Sequence, residues 1–275
     1  MPRDVTDDLS LLLADRVRLP APLTELRGQF QNNSPFPHVV IDDLFAPQLL
    51  DLVAAETAAL PEKQWLLVEK PSLERIRRMR SAVDLGPAGT GLVTLLHSAA
   101  FLYLISEITG IWQLLPDPYL QGAGHAAMRR GDFFNIHSDR NVAYDTGLQR
   151  RLALIVFLNK GWDPSYHGEL EFWDPALTRC EVAFQPVYNR TVLFEVADPN
   201  YHGVPTPIAC PRNRSRQSFI VYYHTVGVGA TVTPRTSLFA PGFYREDAKL
   251  WSLARQVTPP VLLKAAKKLA KLFVP

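Results

Sequence analysis

Apolar and polar residues fall into three stretches of different period along this chain. Residues 36–43 (FPHVVIDD) alternate and are β-rich, which predicts a strand. In 46–60 (APQLLDLVAAETAAL), Leu49, Leu50, Val53, Ala54 and Leu60 recur near helical spacing, which predicts a helix started close to Pro47. Residues 61–90 show neither period; the basic run ERIRRMR within them reads as a solvated or rim segment. A second, largely buried helix is expected over 91–108, with Gly110 as its stop. From about 116 to 225 the pattern becomes a series of short β-rich runs, at 132–137, 152–159, 169–173, 182–185, 191–196 and 217–224, punctuated by Gly, Pro, Asn and Asp. Strands at this spacing predict an antiparallel sandwich or barrel. Residues 243–275 return to helical spacing, and no internal repeat is present. The expected organisation is mainly β with flanking helices, as one domain over 1–275. It comprises a strand and helices over 1–115, a β core over 116–226 and a helical extension over 227–275.

Composition narrows this picture without redirecting it. The chain has 275 residues, 47% hydrophobic and 20% charged, a globular balance, and its net charge of +2 gives no electrostatic case for nucleic acid. Cys180 and Cys210 sit in no zinc-like pattern and are expected to be reduced and mostly buried. MPRDVTDDLS has no signal-like apolar stretch, and the most apolar run, 94–108, is interrupted by His97, Ser98 and Ser106, so a soluble cytoplasmic protein is expected. The tail VLLKAAKKLAKLF places Lys264, Lys267, Lys268 and Lys271 on one helical face and Leu262, Ala266, Leu269 and Phe273 on another. Such a helix can lie on an anionic membrane or contact a partner, but packing on the protein's own body is the expected outcome.

The candidate chemistry lies in the β-rich region. His137 and Asp139 flank Ser138, and in an extended chain residues i and i+2 share a face, so both can converge on one point inside a barrel. A second imidazole, His202, follows the run TVLFEV and a short DPNY link. Two imidazoles and one carboxylate on one face of an octahedron, with the other face open, form the arrangement of non-haem Fe(II) oxygenases. Arg216 opens the run RQSFIVYYH, on which Arg216, Ser218, Ile220 and Tyr222 share one face and Phe219, Val221 and Tyr223 the other. An inward arginine needs an anion, and its planar guanidinium suits a carboxylate such as the distal one of 2-oxoglutarate, to which Ser218 can add a hydroxyl. His38, His97, His125, His167 and His224 are read as structural or exposed, Asn141, Arg129 and Arg130 as rim residues, and Glu171 as facing solvent or ion-paired.

The stretches PFPHVVIDDLF, LLPDPYLQGAG, RRGDFFNIHSD, QRRLALIVFLNKGW, HGELEFWD, NRTVLFEVADPNYHGVP and RSRQSFIVYY span roughly 35–226 in order. Together they resemble the prolyl-4-hydroxylase-like branch of the 2-oxoglutarate/Fe(II)-dependent oxygenases. The resemblance implies a double-stranded β-helix, a distorted jelly roll with the metal inside. It implies iron held by His137, Asp139 and His202, and 2-oxoglutarate held by Arg216 with Ser218. It further implies O2 as the second co-substrate. The expected reaction is hydroxylation of an aliphatic C–H in an amino-acid, peptidyl (prolyl-like) or small natural-product substrate, with 2-oxoglutarate decarboxylated to succinate. The sequence departs from the pattern at Phe157, where some relatives place a co-substrate-binding tyrosine, and Tyr222 or a water is the candidate replacement donor. It departs again at Ala126-Ala127, in place of a His-Gln pair. The carboxylate of Asp139 stands where the related halogenases have a small residue, which favours hydroxylation. The competing functions are a non-catalytic jelly-roll module that binds a metal or ligand, and a membrane-surface interaction protein acting through the C-terminal helix.

Overall fold

A computed structural model describes Leu13, residues 15–227 and residues 234–240. The helix expected over 243–275, and with it any membrane contact of the tail, lies outside the described residues. Four helices, α1 (Leu23–Asn32), α2 (Pro47–Ala59), α3 (Pro87–Leu96) and α4 (Ala99–Thr109), precede most of a curled antiparallel sheet. Its strands are β1 (His38–Asp42), β2 (Trp65–Lys70), β3 (Glu74–Met79), β4 (Leu115–Pro116), β5 (Gly124–Met128), β6 (Phe133–Ser138) and β7 (Gln149–Phe157). They continue with β8 (Leu170–Trp173), β9 (Cys180–Phe184), β10 (Arg190–Glu195), β11 (His202–Val204), β12 (Arg216–Thr225) and β13 (Leu238–Phe239). The strands are hydrogen-bonded in the order β1-β10-β7-β12-β5-β3-β6-β11-β8-β9, so the sheet turns back over itself around an interior cavity. This is the double-stranded β-helix expected from the sequence.

Alternation explains how the sheet serves two environments at once. On β12, Phe219, Val221 and Tyr223 are fully buried against the helices, and the Tyr223 hydroxyl donates to the Leu96 carbonyl at 3.1 Å. The intervening Arg216, Ser218, Ile220 and Tyr222 line the cavity. The helices supply Leu26, Phe30, Leu50, Leu92, Phe101 and Leu104 to the same core. Pro47 takes the first helical position of α2, where its missing N–H removes no hydrogen bond. Gly110 ends α4 in the left-handed conformation at φ 75°.

Three expectations need correction. The helix expected over 91–108 is two helices, α3 and α4, bent by 53°. Ser98 forces the break by accepting from the Phe101 N–H at 3.2 Å, as an N-cap does. No single helix among the described residues is long and apolar enough to cross a membrane. Residues 61–90 are not irregular: β2 and β3 form a hairpin, and ERIRRMR lies on a strand paired with both β5 and β6. Its alternation is masked because both faces carry arginine. Arg77 donates to the buried Asp132 at 2.7 Å, whereas Arg78 faces the cavity. Finally, Cys180 is exposed because it opens the edge strand β9, although Cys210 is buried as expected.

Candidate metal and co-substrate site

His137 and His202 are directly opposite one another on β6 and β11, with ring centroids 4.5 Å apart. Asp139 lies just past the end of β6. Its carboxylate oxygens stand 3.5 Å from His137 Nε2 and 3.8 Å from His202 Nε2. One donor atom from each of the three residues falls within 4.8 Å of the other two, and all three residues are buried. The close approach of β11 to β6 needs Gly203, because a Cβ there would lie 2.7 Å from the Phe134 carbonyl oxygen.

The hydrogen bonds decide which nitrogens are free. His137 Nδ1 lies 2.8 Å from the Asn135 carbonyl and His202 Nδ1 lies 3.1 Å from the Asn200 carbonyl. A carbonyl only accepts, so both Nδ1 atoms carry the proton and both Nε2 lone pairs point toward Asp139. His137 Nε2 is buried with no hydrogen-bond partner among the described residues. Burial, then the neighbouring His137, lowers the His202 pKa to about 4. Burial opposes ionisation of Asp139, but the neighbouring His137 and His202 outweigh it and hold the carboxyl well below the usual range. Two neutral imidazoles and one carboxylate, desolvated and unspent, fit a divalent iron ion.

Arg216 lies on the same cavity wall and is 5% exposed. Its Nε donates to the Gly168 carbonyl at 2.6 Å, and its guanidinium is 4.8 Å from the Phe157 ring. No salt bridge to it exists among the described residues, and burial pushes its pKa down to about 10. Such a cation is complementary to an incoming carboxylate. Ser218, one inward position along β12, is 2% exposed. Phe157 has no hydroxyl, but its ring face supports the guanidinium by a cation–π contact.

Tyr222 is not brought to Arg216. It lines the same wall, but six residues of strand carry it roughly 20 Å along β12 at about 3.3 Å per residue. It sits at the Asp139 end, with the Arg150 guanidinium 3.5 Å from its ring. A carboxylate held by Arg216 and Ser218 is out of its reach, so Tyr222 does not replace the hydroxyl missing at Phe157. Glu171 is turned aside from the cavity and accepts from Trp173 Nε1 at 2.8 Å.

Sequence reasoning missed several residues around the centre. Phe134 stacks on His137 with centroids 4.0 Å apart, and Phe239 on β13 is 5.6 Å from the same ring. Arg235 donates to the Asp139 carbonyl at 2.7 Å, to Ser138 Oγ at 3.0 Å and to Asp198 Oδ2 at 2.8 Å. It thereby fixes the turn that presents Asp139. Arg78 reaches the cavity from β3, and Arg150 lies behind Tyr222. None carried a local signal: Phe134 is three residues from His137, which regular strand alternation would place on the opposite face, and the others are remote in sequence.

Residues 123–224 match the family model described as the 2OG-Fe(II) oxygenase superfamily. That stretch is similar to the 2OG-Fe(II) oxygenases, an enzyme class that uses Fe(II), 2-oxoglutarate and O2. Comparison with curated protein sequences gives no match. Among solved structures, the chain is similar to a prolyl-4-hydroxylase of Pseudomonas putida at 16% identity, covering 73% of this chain and 98% of that one, with a TM-score of 0.53. It is similar to a Trichoplax adhaerens prolyl hydroxylase, solved with a hypoxia inducible factor peptide fragment, at 16% identity, 82% and 93% coverage and a TM-score of 0.54. It is also similar to SnoN, a non-heme alpha ketoglutarate dependent epimerase from nogalamycin biosynthesis, at 13% identity, 81% and 97% coverage and a TM-score of 0.52. At these identities the likeness is one of fold.

Proposed function

We propose that the protein hydroxylates an aliphatic C–H of an amino-acid, peptidyl or small natural-product substrate. In this reading His137, Asp139 and His202 hold Fe(II), and Arg216 with Ser218 holds the distal carboxylate of 2-oxoglutarate. The observation that carries it is one cavity lined both by a buried His–Asp–His cluster and by a buried arginine with no salt bridge among the described residues. When bound, the iron supplies the oxidative chemistry that splits O2 between 2-oxoglutarate and substrate. The protein's own part is geometric and electrostatic. The two backbone carbonyls at Asn135 and Asn200 keep both imidazoles in the ligating tautomer. Arg235 pins the Asp139 turn. Ile76, Met128, Ile155, Leu170 and Val204 line the same cavity and give it apolar walls.

A carboxylate at position 139 supports hydroxylation over halogenation, since it fills the place a halide would need. The test is anaerobic purification followed by addition of Fe(II), 2-oxoglutarate and air. Succinate is expected well above that of a His137→Ala control, and equal succinate in the two samples rejects the reading.

A further inference from the structure

The cavity holds more positive charge than the reagents of this reaction neutralise. Asp139 is the one carboxylate among the described residues that line it, while Arg216 and Arg78 both do. With the doubly positive iron, the doubly negative 2-oxoglutarate, Asp139 and Arg216 in place, the charges cancel, and Arg78 remains in excess. Arg78 has little internal compensation. Its Nη2 is 3.9 Å from Glu74 Oε2, whereas Glu74 Oε1 accepts from Lys70 Nζ at 2.7 Å. Arg78 Nε is buried with no hydrogen-bond partner among the described residues. A guanidinium left this way in a half-closed cavity favours an incoming anion.

Its place in the sheet separates it from the co-substrate arginine. The register runs Arg78–Ala126–Ser218 across β3, β5 and β12, while Arg216 pairs with Met128 in the adjacent inward row. Arg78 is thus displaced from Arg216 toward the end of the cavity where Asp139 and Tyr222 lie. Its guanidinium is 5.2 Å from the Phe134 ring, which itself stacks on His137. It stands one aromatic layer from the metal cluster. Burial and then the Asp139 carboxylate raise the Tyr222 hydroxyl above its ordinary pKa, while Arg150, Arg78 and Arg140 act on that hydroxyl as cations. At that end of the cavity Arg78 is the lining cation beside Asp139, the carboxylate that the metal would take.

We infer that Arg78 is a substrate-binding residue, and that the substrate carries a carboxylate which docks between Arg78 and Tyr222. The inference rests on the metal and co-substrate reading above and sharpens it. The substrate class becomes a small free acid, such as an unblocked amino acid or a carboxylated natural product, rather than a residue inside a peptide chain. An internal residue has no carboxylate beside its reacting carbon to neutralise Arg78.

Binding without turnover tests this. The full chain, loaded with Mn(II) and 2-oxoglutarate under argon, is titrated calorimetrically with each free L-amino acid, with the corresponding carboxamide, and with short-chain hydroxy and cyclic monocarboxylic acids. At least one acid is expected to bind, with its amide weaker by roughly tenfold or more, the scale of one charge-assisted hydrogen bond. Arg78→Gln should erase that preference and leave the 2-oxoglutarate Kd unchanged, while Arg78→Lys should keep part of it. A wild-type melting midpoint in both variants checks their folding. Equal affinity for acid and amide, or no acid binding at all, overturns the inference. So does Arg78→Gln weakening 2-oxoglutarate instead, which would assign the arginine to the co-substrate. A wild-type protein that binds no 2-oxoglutarate fails the earlier reading and this one together, whereas intact 2-oxoglutarate binding without acid preference sinks this one alone.

Discussion

Replacing Arg216 by methionine separates co-substrate recognition from stability. The side chain keeps about the same length but loses its charge. In the ligand-free protein, burial holds Arg216 at a pKa of about 10 against an ordinary 12.5. At 1.36 kcal/mol per unit, relief of that penalty is worth about 3 kcal/mol at most. Against it stands the lost bond to the Gly168 carbonyl at 2.6 Å, which leaves a buried acceptor unpaired for about 1–3 kcal/mol. The two nearly cancel, so the urea midpoint of the ligand-free variant should stay close to wild type. With 2-oxoglutarate the balance changes. Removing one partner of a buried, hydrogen-bonded charge pair costs about 2–5 kcal/mol, which is roughly 30-fold to several thousand-fold in Kd. Metal affinity should not move, because no ligand atom is lost. Calorimetric titration of the Mn(II)-loaded protein with 2-oxoglutarate reads the first effect, and titration with Mn(II) alone reads the second. Unchanged 2-oxoglutarate affinity, or a parallel fall in both affinities, would refute the role given to Arg216.

Three further outcomes are expected. Gly168→Ala places a Cβ 2.7 Å from Ile208 Cδ1 and 3.0 Å from Arg216 Cδ at a φ of +94°, so it should destabilise by roughly 1–3 kcal/mol and also weaken 2-oxoglutarate; a wild-type urea midpoint contradicts this. Arg235→Ala frees the Asp139 turn and should weaken metal binding about 10- to 100-fold, measured by Mn(II) titration, with equal affinity counting against a positioning role. Burial, and then Arg150, lowers the His224 pKa to about 4, so the unfolded chain takes up a proton near pH 6.5 while the folded one does not. Stability from His224 is therefore complete above about pH 6.5 and is lost as pH falls toward 4, by up to about 3 kcal/mol. His224→Leu should flatten the decline in urea midpoint between pH 7 and 4.5; an identical decline shows that other groups cause it.

What could be read from the residues in order was whatever depends on local period. The alternation Arg216, Ser218, Ile220, Tyr222 assigned the inward face of β12, and Pro47 and Gly110 marked helix ends, because backbone stereochemistry acts within a few residues. His137 and Asp139 were legible for the same reason, and His202 and Arg216 because the ordered resemblance pointed to them. The hairpin β2–β3 was not, since arginine stands on both of its faces and cancels the apolar alternation that marks a strand. The break between α3 and α4 was hidden inside an apolar run, where a single serine cap outweighs the periodicity. Only the tertiary structure could set His202 opposite His137, close Arg235 onto Asp139 and bring Arg78 to the metal cavity. Each of those placements joins residues that are far apart in the sequence. Their distances are fixed by register and sheet curvature, which arise from the packing of the whole chain rather than from any segment of it.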